Sequence, residues 1–225
     1  MSRYRIGLMV PSSNTVMEPD FQQAFDGIAT VHAARMYLPD PYTPDDELRM
    51  IDEFAADAAR DIGTLHPDVV VFGCTSAGAL RGPTYDAELR GELAEKTACP
   101  MVGVFDTISE ALSAREKGRI AVSTPYTEEL NEAIARSLTA DGFDVVSMVG
   151  MGLRRNVEVG RVVPEDIIDF VVANTPDDAE AVAVPCTNFR AFEVHEQITA
   201  RLGRPVVTAN SSVIEAVRAR LGAVE

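Results

Sequence analysis

The stretch Val69-Val70-Val71-Phe72-Gly73-Cys74-Thr75 returns 112 residues later as Ala181-Val182-Ala183-Val184-Pro185-Cys186-Thr187. Two further segments recur in the same order. Ile6-Gly7-Leu8-Met9-Val10-Pro11 matches Ile120-Ala121-Val122-Ser123-Thr124-Pro125 at an offset of 114, and Cys99-Pro100-Met101-Val102 matches Arg204-Pro205-Val206-Val207 at 105. Buried strands resemble one another, so a single match would mean little. Three matches in register, each carrying a Cys or a Pro, indicate a duplicated unit. A chain of 225 residues built this way is expected to fold as two like halves that present the same loops to a shared cleft.

Within each half the reading is α/β. Apolar runs at residues 5–10, 31–37, 68–72, 101–104, 119–123, 144–149, 181–184 and 205–208 are rich in Val and Ile and nearly unbroken. Strands buried on both faces of a parallel sheet read this way. Between them lie helical patterns at 45–65, 86–96, 107–115, 127–138, 164–173, 189–202 and 212–221. In the first of these, Leu48, Ile51, Ala55, Ala58 and Ile62 recur at helical spacing with acids between them. Strands alternating with helices predict two pseudo-symmetric lobes, each a four-stranded, mostly parallel sheet flanked by helices. The lobes are expected at residues 1–110 and 111–225, with the last helix free to pack back on the first lobe. No Gly- or Ser-rich linker separates them, which predicts close packing. The face of Met50, Phe54 and Ala58 suits either the core or a subunit contact.

Charge and composition exclude several functions. Lys plus Arg number 20 and Asp plus Glu 35, a net charge of −15. Such a chain is a poor electrostatic partner for nucleic acid or an anionic membrane. No apolar run approaches the roughly 18 residues of a spanning helix. The apolar start at 6–10 is too short for a secretory signal, so a cytoplasmic location is expected. Cys74, Cys99 and Cys186 form no CxxC, and His32, His66 and His195 form no cluster. No metal site is expected. Neither a P-loop nor a GxGxxG is present, so no nucleotide cofactor is expected either.

Ligands of parallel α/β sheets bind outside the carboxyl ends of the strands. The segments leaving those ends are small and polar: 11–15, 73–78, 124–126, 153–156, 185–188 and 209–212. Helices starting there offer unpaired N–H groups and a positive dipole end, which suit a carboxylate. Cys74 and Cys186 are the sharpest feature, each leaving a buried strand and followed by Thr. A thiol at a helix start has a lowered pKa. Two thiols from related lobes could act on one carbon skeleton from opposite faces, as nucleophile or as acid and base. Cys99 has no such loop and reads as a small buried hydrophobe. His195 reads as a surface residue, and Asn210-Ser211-Ser212 as a helix cap or else as support one layer behind the site. Arg81, Arg154 and Arg190 lie near the loops and could offset the acidity around an anion.

These residues carry a resemblance. Val10-Pro11-Ser12-Ser13-Asn14-Thr15 with Met17-Glu18, Gly73-Cys74-Thr75-Ser76, Ser123-Thr124-Pro125-Tyr126, Asn156 with Glu158 and Gly160-Arg161, and Pro185-Cys186-Thr187-Asn188 resemble the maleate cis-trans isomerase group of the aspartate/glutamate racemase superfamily, to which arylmalonate decarboxylase is related. The resemblance implies a cofactor-independent enzyme. It implies that Cys74 adds as thiolate to an alkene carbon and that Cys186 supplies and later removes a proton at the other. Asn14, Tyr126 and Asn156 would hold substrate carboxylates, with backbone N–H groups near Thr75, Ser76, Thr187 and Asn188 completing the cradle. The expected partner is a small anionic carboxylate, and the expected assembly a homodimer or larger homo-oligomer. Cys186-Thr187-Asn188-Phe189-Arg190 also resembles relatives associated with ectoine catabolism, in which an amino-acid racemase role is inferred. Two alternatives therefore stand beside the isomerase: a racemase using both cysteines as opposite-face acid and base, and a non-catalytic small-carboxylate binder.

Overall fold

The computed structural model describes residues 4–115 and 118–223, without the side chains of 76–78 and 83. Its strands are β1 (Tyr4–Pro11), β2 (Ala29–Met36), β3 (Val69–Phe72), β4 (Met101–Gly103), β5 (Arg119–Thr124), β6 (Asp144–Gly150), β7 (Ala181–Val184) and β8 (Val206–Thr208). They form two four-stranded sheets of the same order, β2-β1-β3-β4 and β6-β5-β7-β8. Every described pairing is parallel. The expected two-lobed α/β architecture is present. The unbroken apolar runs have the expected consequence, since β3 and β7 are buried at every residue.

The helices of the first half are α1 (Met17–Ala24), α2 (Pro44–Arg49), α3 (Ala56–Gly63), α4 (Thr75–Arg81), α5 (Pro83–Thr97) and α6 (Val104–Ser113). Those of the second half are α7 (Glu128–Ala140), α8 (Asn156–Val159), α9 (Pro164–Ala173), α10 (His195–Leu202) and α11 (Ala209–Arg220). A capping box starts α2: the Thr43 side chain accepts from the Asp46 amide, and the Asp46 carboxylate accepts from the Thr43 amide. Pro44 and Pro164 occupy first-turn positions, where a missing N–H costs nothing. The helical pattern at 45–65 is one run in which Met50–Ala55 is π-wound between α2 and α3. That run buries Glu47, Met50, Ile51, Ala55, Ala58 and Ile62, while Leu48 is only half-buried. Met50 and Ala58 therefore belong to this protomer's own core, and Phe54 rests edge-on against Tyr37.

The seam between the lobes is built from equivalent elements. Helix α6 leaves β4 and α11 leaves β8, and the two pack against each other. Thr107 and Ser212, which the 105-residue offset makes equivalent, share a hydrogen bond of 3.1 Å at this seam. Helix α11 also lies on α1 and β4, and Arg218 donates to the Ala24 carbonyl at 2.9 Å. Helix α6 itself runs through residues 110 and 111. No described helix is long and apolar enough to cross a membrane.

Candidate active site

Cys74 and Cys186 leave the carboxyl ends of β3 and β7, the equivalent central strands, and both are buried thiols. Thr187, which follows Cys186, donates from Oγ1 to the carbonyl of Gly73, which precedes Cys74, at 3.1 Å. The same Oγ1 accepts from Asn14 Nδ2 at 3.0 Å. One hydroxyl thus ties together the exits of β1, β3 and β7. Gly73 lets the exit of β3 pack closely on β1 and α1: a Cβ there would stand 2.7 Å from Met17 Sδ and 3.0 Å from the Met9 carbonyl. Thr75, the counterpart of Thr187, is buried with no hydrogen-bond partner for its Oγ1 among the described residues.

A second chain of bonds joins β1 to the loop after β6. Asn188 Oδ1 accepts from the Thr15 amide at 2.8 Å. Asn188 Nδ2 donates to the Asn156 carbonyl at 2.6 Å and to Asn156 Oδ1 at 2.9 Å. Asn156 Nδ2 in turn donates to Ser13 Oγ at 2.8 Å. Asn14 Oδ1 accepts from the Val16 and Met17 amides, both at 3.0 Å, and so fixes the entry to α1. Asn14 and Asn156 each show one described bond from a two-hydrogen amide, which leaves a hydrogen for a ligand. Asn188 donates both of its hydrogens to Asn156. The side chain of Ser76 lies outside those described.

The surroundings of Cys186 differ from a plain carboxylate cradle. Its sulfur receives hydrogen bonds from the Tyr126 hydroxyl and from the backbone amides of Asn188 and Phe189. The Asn188 amide, expected to face substrate, faces the thiol instead. The exit from β7 turns tightly here, the Cys186 amide bonding back to the Val184 carbonyl at 3.0 Å. Burial pushes the Cys186 thiol up to about 12, the three donors pull it down, and Glu47 adds to the rise. Tyr126, expected to hold substrate, is buried, and burial pushes its phenol far up. Burial also pushes Cys99 up; it donates to the Pro100 carbonyl, away from this network.

Two residues of the site went unnoticed in the sequence. Tyr42 is buried where its hydroxyl senses Glu47, Cys186 and Cys74; burial, then those groups, raise its pKa. Glu47 is 3% exposed and acts electrostatically on Tyr42, Tyr126 and Cys186. A residue that the sequence did single out lies one layer out. Asn210, expected as a cap, donates to Asp20 Oδ2 at 2.7 Å and to the Thr187 carbonyl at 3.1 Å, while Thr208 caps α11. His195, expected at the surface, is half-buried; it stacks on Phe192 and contacts its carbonyl. Arg81 pairs with Asp52 and Arg190 with Glu193, whereas Arg154 lines a cleft over Tyr42. Among the described residues no group of three or more His, Cys, Asp or Glu is placed to hold a metal ion.

Twin parallel lobes that bring one buried cysteine from each to a common seam define a two-thiol α/β enzyme scaffold. The chain belongs to the arylmalonate decarboxylase family, whose model matches residues 6–223. It is 26% identical to the maleate isomerase of Geobacillus stearothermophilus, over 94% of this chain and 89% of that one. It is 24% identical to the arylmalonate decarboxylase of Bordetella bronchiseptica, over 82% and 81%. Its fold matches a cysteine-to-serine variant of Nocardia farcinica maleate cis-trans isomerase with a covalently bound succinylcysteine intermediate. The TM-score there is 0.91 at 22% identity, covering 98% of this chain and 94% of that one.

Proposed function

We propose that this chain is a cofactor-independent cis-trans isomerase of the maleate isomerase type, acting on maleate or a similar small dicarboxylate. The observation that carries the reading is the joining of the two cysteine loops by Thr187, with three donors gathered on the Cys186 sulfur. In the proposed reaction Cys74 attacks as thiolate. Its sulfur bonds to one alkene carbon, and the π electrons take the Cys186 proton at the other. The adduct is a succinyl thioether whose central bond is single and turns. The Cys186 thiolate, held by Tyr126 and two amides, removes a proton from the same carbon. The C–S bond then breaks, giving the trans alkene and restoring the Cys74 thiolate. No net oxidation occurs. Asn14 and Asn156 keep amide hydrogens for a substrate carboxylate, and Thr75 Oγ1 is a further donor without a described partner.

Proton NMR in D2O tests this with maleate, citraconate, aspartate, glutamate and diaminobutyrate as substrates. The expected result is a trans alkene from a cis one. Cys74→Ala and Cys186→Ala abolish it, and Cys99→Ala retains it. Deuterium at Cα of an amino acid, with no alkene product, would replace the isomerase by a racemase.

A further inference from the structure

Behind Cys186 one buried side chain grips the peptide unit that faces the sulfur. Asn210, the second residue of α11, donates from Nδ2 to the Thr187 carbonyl at 3.1 Å and to Asp20 Oδ2 on α1 at 2.7 Å. Both amide hydrogens are thereby used, and the acceptor on Asp20 sets which way the amide faces. The Thr187 carbonyl and the Asn188 N–H belong to one planar peptide unit and point to opposite sides of it. That N–H is one of the donors on the Cys186 sulfur. Fixing the carbonyl therefore fixes the donor. The Thr187 side chain is held in turn by the exits of β1 and β3, at 3.0 Å from Asn14 Nδ2 and 3.1 Å from the Gly73 carbonyl. The fold itself asks for no polar group at Asn210. At the 105-residue offset the first lobe places Phe105, also buried, as the second residue of α6. The cap of α11 is Thr208. Burying an amide beside a carboxyl costs free energy, the more so because Asn210 Oδ1 has no hydrogen-bond partner among the described residues. Stability alone would favour an apolar residue here, as in the first lobe.

We propose that Asn210 and Asp20 are positioning residues for the proton transfer at Cys186: Asp20 orients the Asn210 amide, and Asn210 holds the Thr187–Asn188 peptide so that its N–H stays on the sulfur. The proposal rests on the isomerase reading for the step it serves. Both residues act through the peptide rather than on the thiol itself. Their effect falls on the thiolate left once Cys186 has given its proton to carbon, because a hydrogen bond to a charged acceptor is stronger than one to a neutral thiol. Losing the alignment of one such donor weakens the acid and slows the transfer, with little change in how the substrate is held before reaction. The bonds made and broken are those given above.

The experiment measures kcat and KM for maleate by NMR, using the full chain, in Asn210→Ala, in Asn210→Leu, which fills the space, and in Asp20→Ala beside Asp20→Asn. Expected is a fall of about tenfold in kcat, with KM changed by less than about twofold, in both Asn210 variants. Asp20→Asn keeps an acceptor and recovers most of what Asp20→Ala loses. A second measurement needs no turnover. In a Cys74→Ala, Cys99→Ala background, methyl methanethiosulfonate reacts with Cys186 as thiolate. At about pH 9 the Asn210 variants should react about threefold more slowly, because a raised pKa lowers the thiolate fraction more than it raises nucleophilicity. A purely structural role would loosen the packing and speed this reaction. An unchanged kcat, a change in KM alone, or a modification rate equal to or above that of the unsubstituted Asn210 protein overturns the proposal. If the wild type turns over no maleate while the Asn210 variants still modify more slowly, the isomerase reading fails and the assignment of Asn210 stands.

Discussion

Asp20 offers the sharpest quantitative check on the network behind Cys186. It is 5% exposed on α1, and burial pushes its carboxyl up from 3.8 to about 7. The Asn210 bond and Arg190 act the other way, and Glu193 adds to the rise. Because the folded state holds this proton more tightly than the unfolded one, stability is greatest below the unfolded value. It falls as pH climbs through the folded one. The shift corresponds to about 4 kcal/mol in full, of which about 2 kcal/mol is lost between about pH 5.5 and about pH 8.5. Asp20→Asn cannot ionise, and its amide oxygen can still accept from Asn210. The assay is urea or thermal unfolding of both proteins at the two pH values. Other titrating groups cancel in the comparison. The variant should gain about 2 kcal/mol on the wild type from the lower pH to the higher, roughly 4–8 °C in Tm for a chain of this size. Parallel profiles, or a gain in the opposite direction, would refute the reasoning, because the buried carboxyl would then carry no proton at neutral pH.

Two further outcomes are specific to this geometry. Tyr126→Phe removes a donor to the Cys186 sulfur; such a charge-assisted bond is worth about 1.5–3 kcal/mol, so kcat should fall by about tenfold to hundredfold with a smaller change in KM. A rise in KM alone would place the hydroxyl on the substrate instead. Gly73→Ala forces a Cβ to within 3.0 Å of the Met9 carbonyl and 2.7 Å of Met17 Sδ. It should cost about 1–3 kcal/mol in chemical denaturation and lower activity further by shifting Cys74.

The strands were legible because a sheet buried on both faces leaves no choice of residue: wherever Val and Ile ran unbroken, a strand formed within two residues of the expected limits. Helices α1 and α4 were hidden for the opposite reason. Eight residues containing Pro19, and seven containing Gly78, carry too few apolar turns to show a period. The paired cysteines were legible as a repeat, but their polar neighbours were not. Tyr42 lies in the Pro-rich loop before α2, and Glu47 is one acid among Asp45, Asp46, Asp52 and Glu53. Periodicity assigned the inward position to Leu48. The structure turns the helix so that Glu47 is buried there and Leu48 is only half-buried. Hydrophobicity predicts the inward face of a helix, and it fails where the inward group serves a polar site. Asp20 was missed for the same reason, sitting between Pro19 and Phe21 on a helix too short to reveal its face.

The duplication also bears on how two equivalent thiols come to do different work. Both follow a buried four-residue strand, yet the chain leaves them differently. After Cys74 it enters α4 at Thr75, so that sulfur lies at the start of a helix, where the dipole favours thiolate. After Cys186 no helix of any kind begins until Phe192. The intervening turn instead wraps two amides and the Tyr126 hydroxyl around the sulfur in a buried setting that keeps it protonated at neutral pH. One exit suits a nucleophile, and the other suits an acid whose conjugate base is stabilised once it has given up its proton. A symmetric pair would give two thiols of equal pKa and no preferred direction of attack. The division of roles proposed for Cys74 and Cys186 therefore rests on divergence after the repeat, in residues 75–81 and 187–191, more than on the repeated Cys-Thr itself.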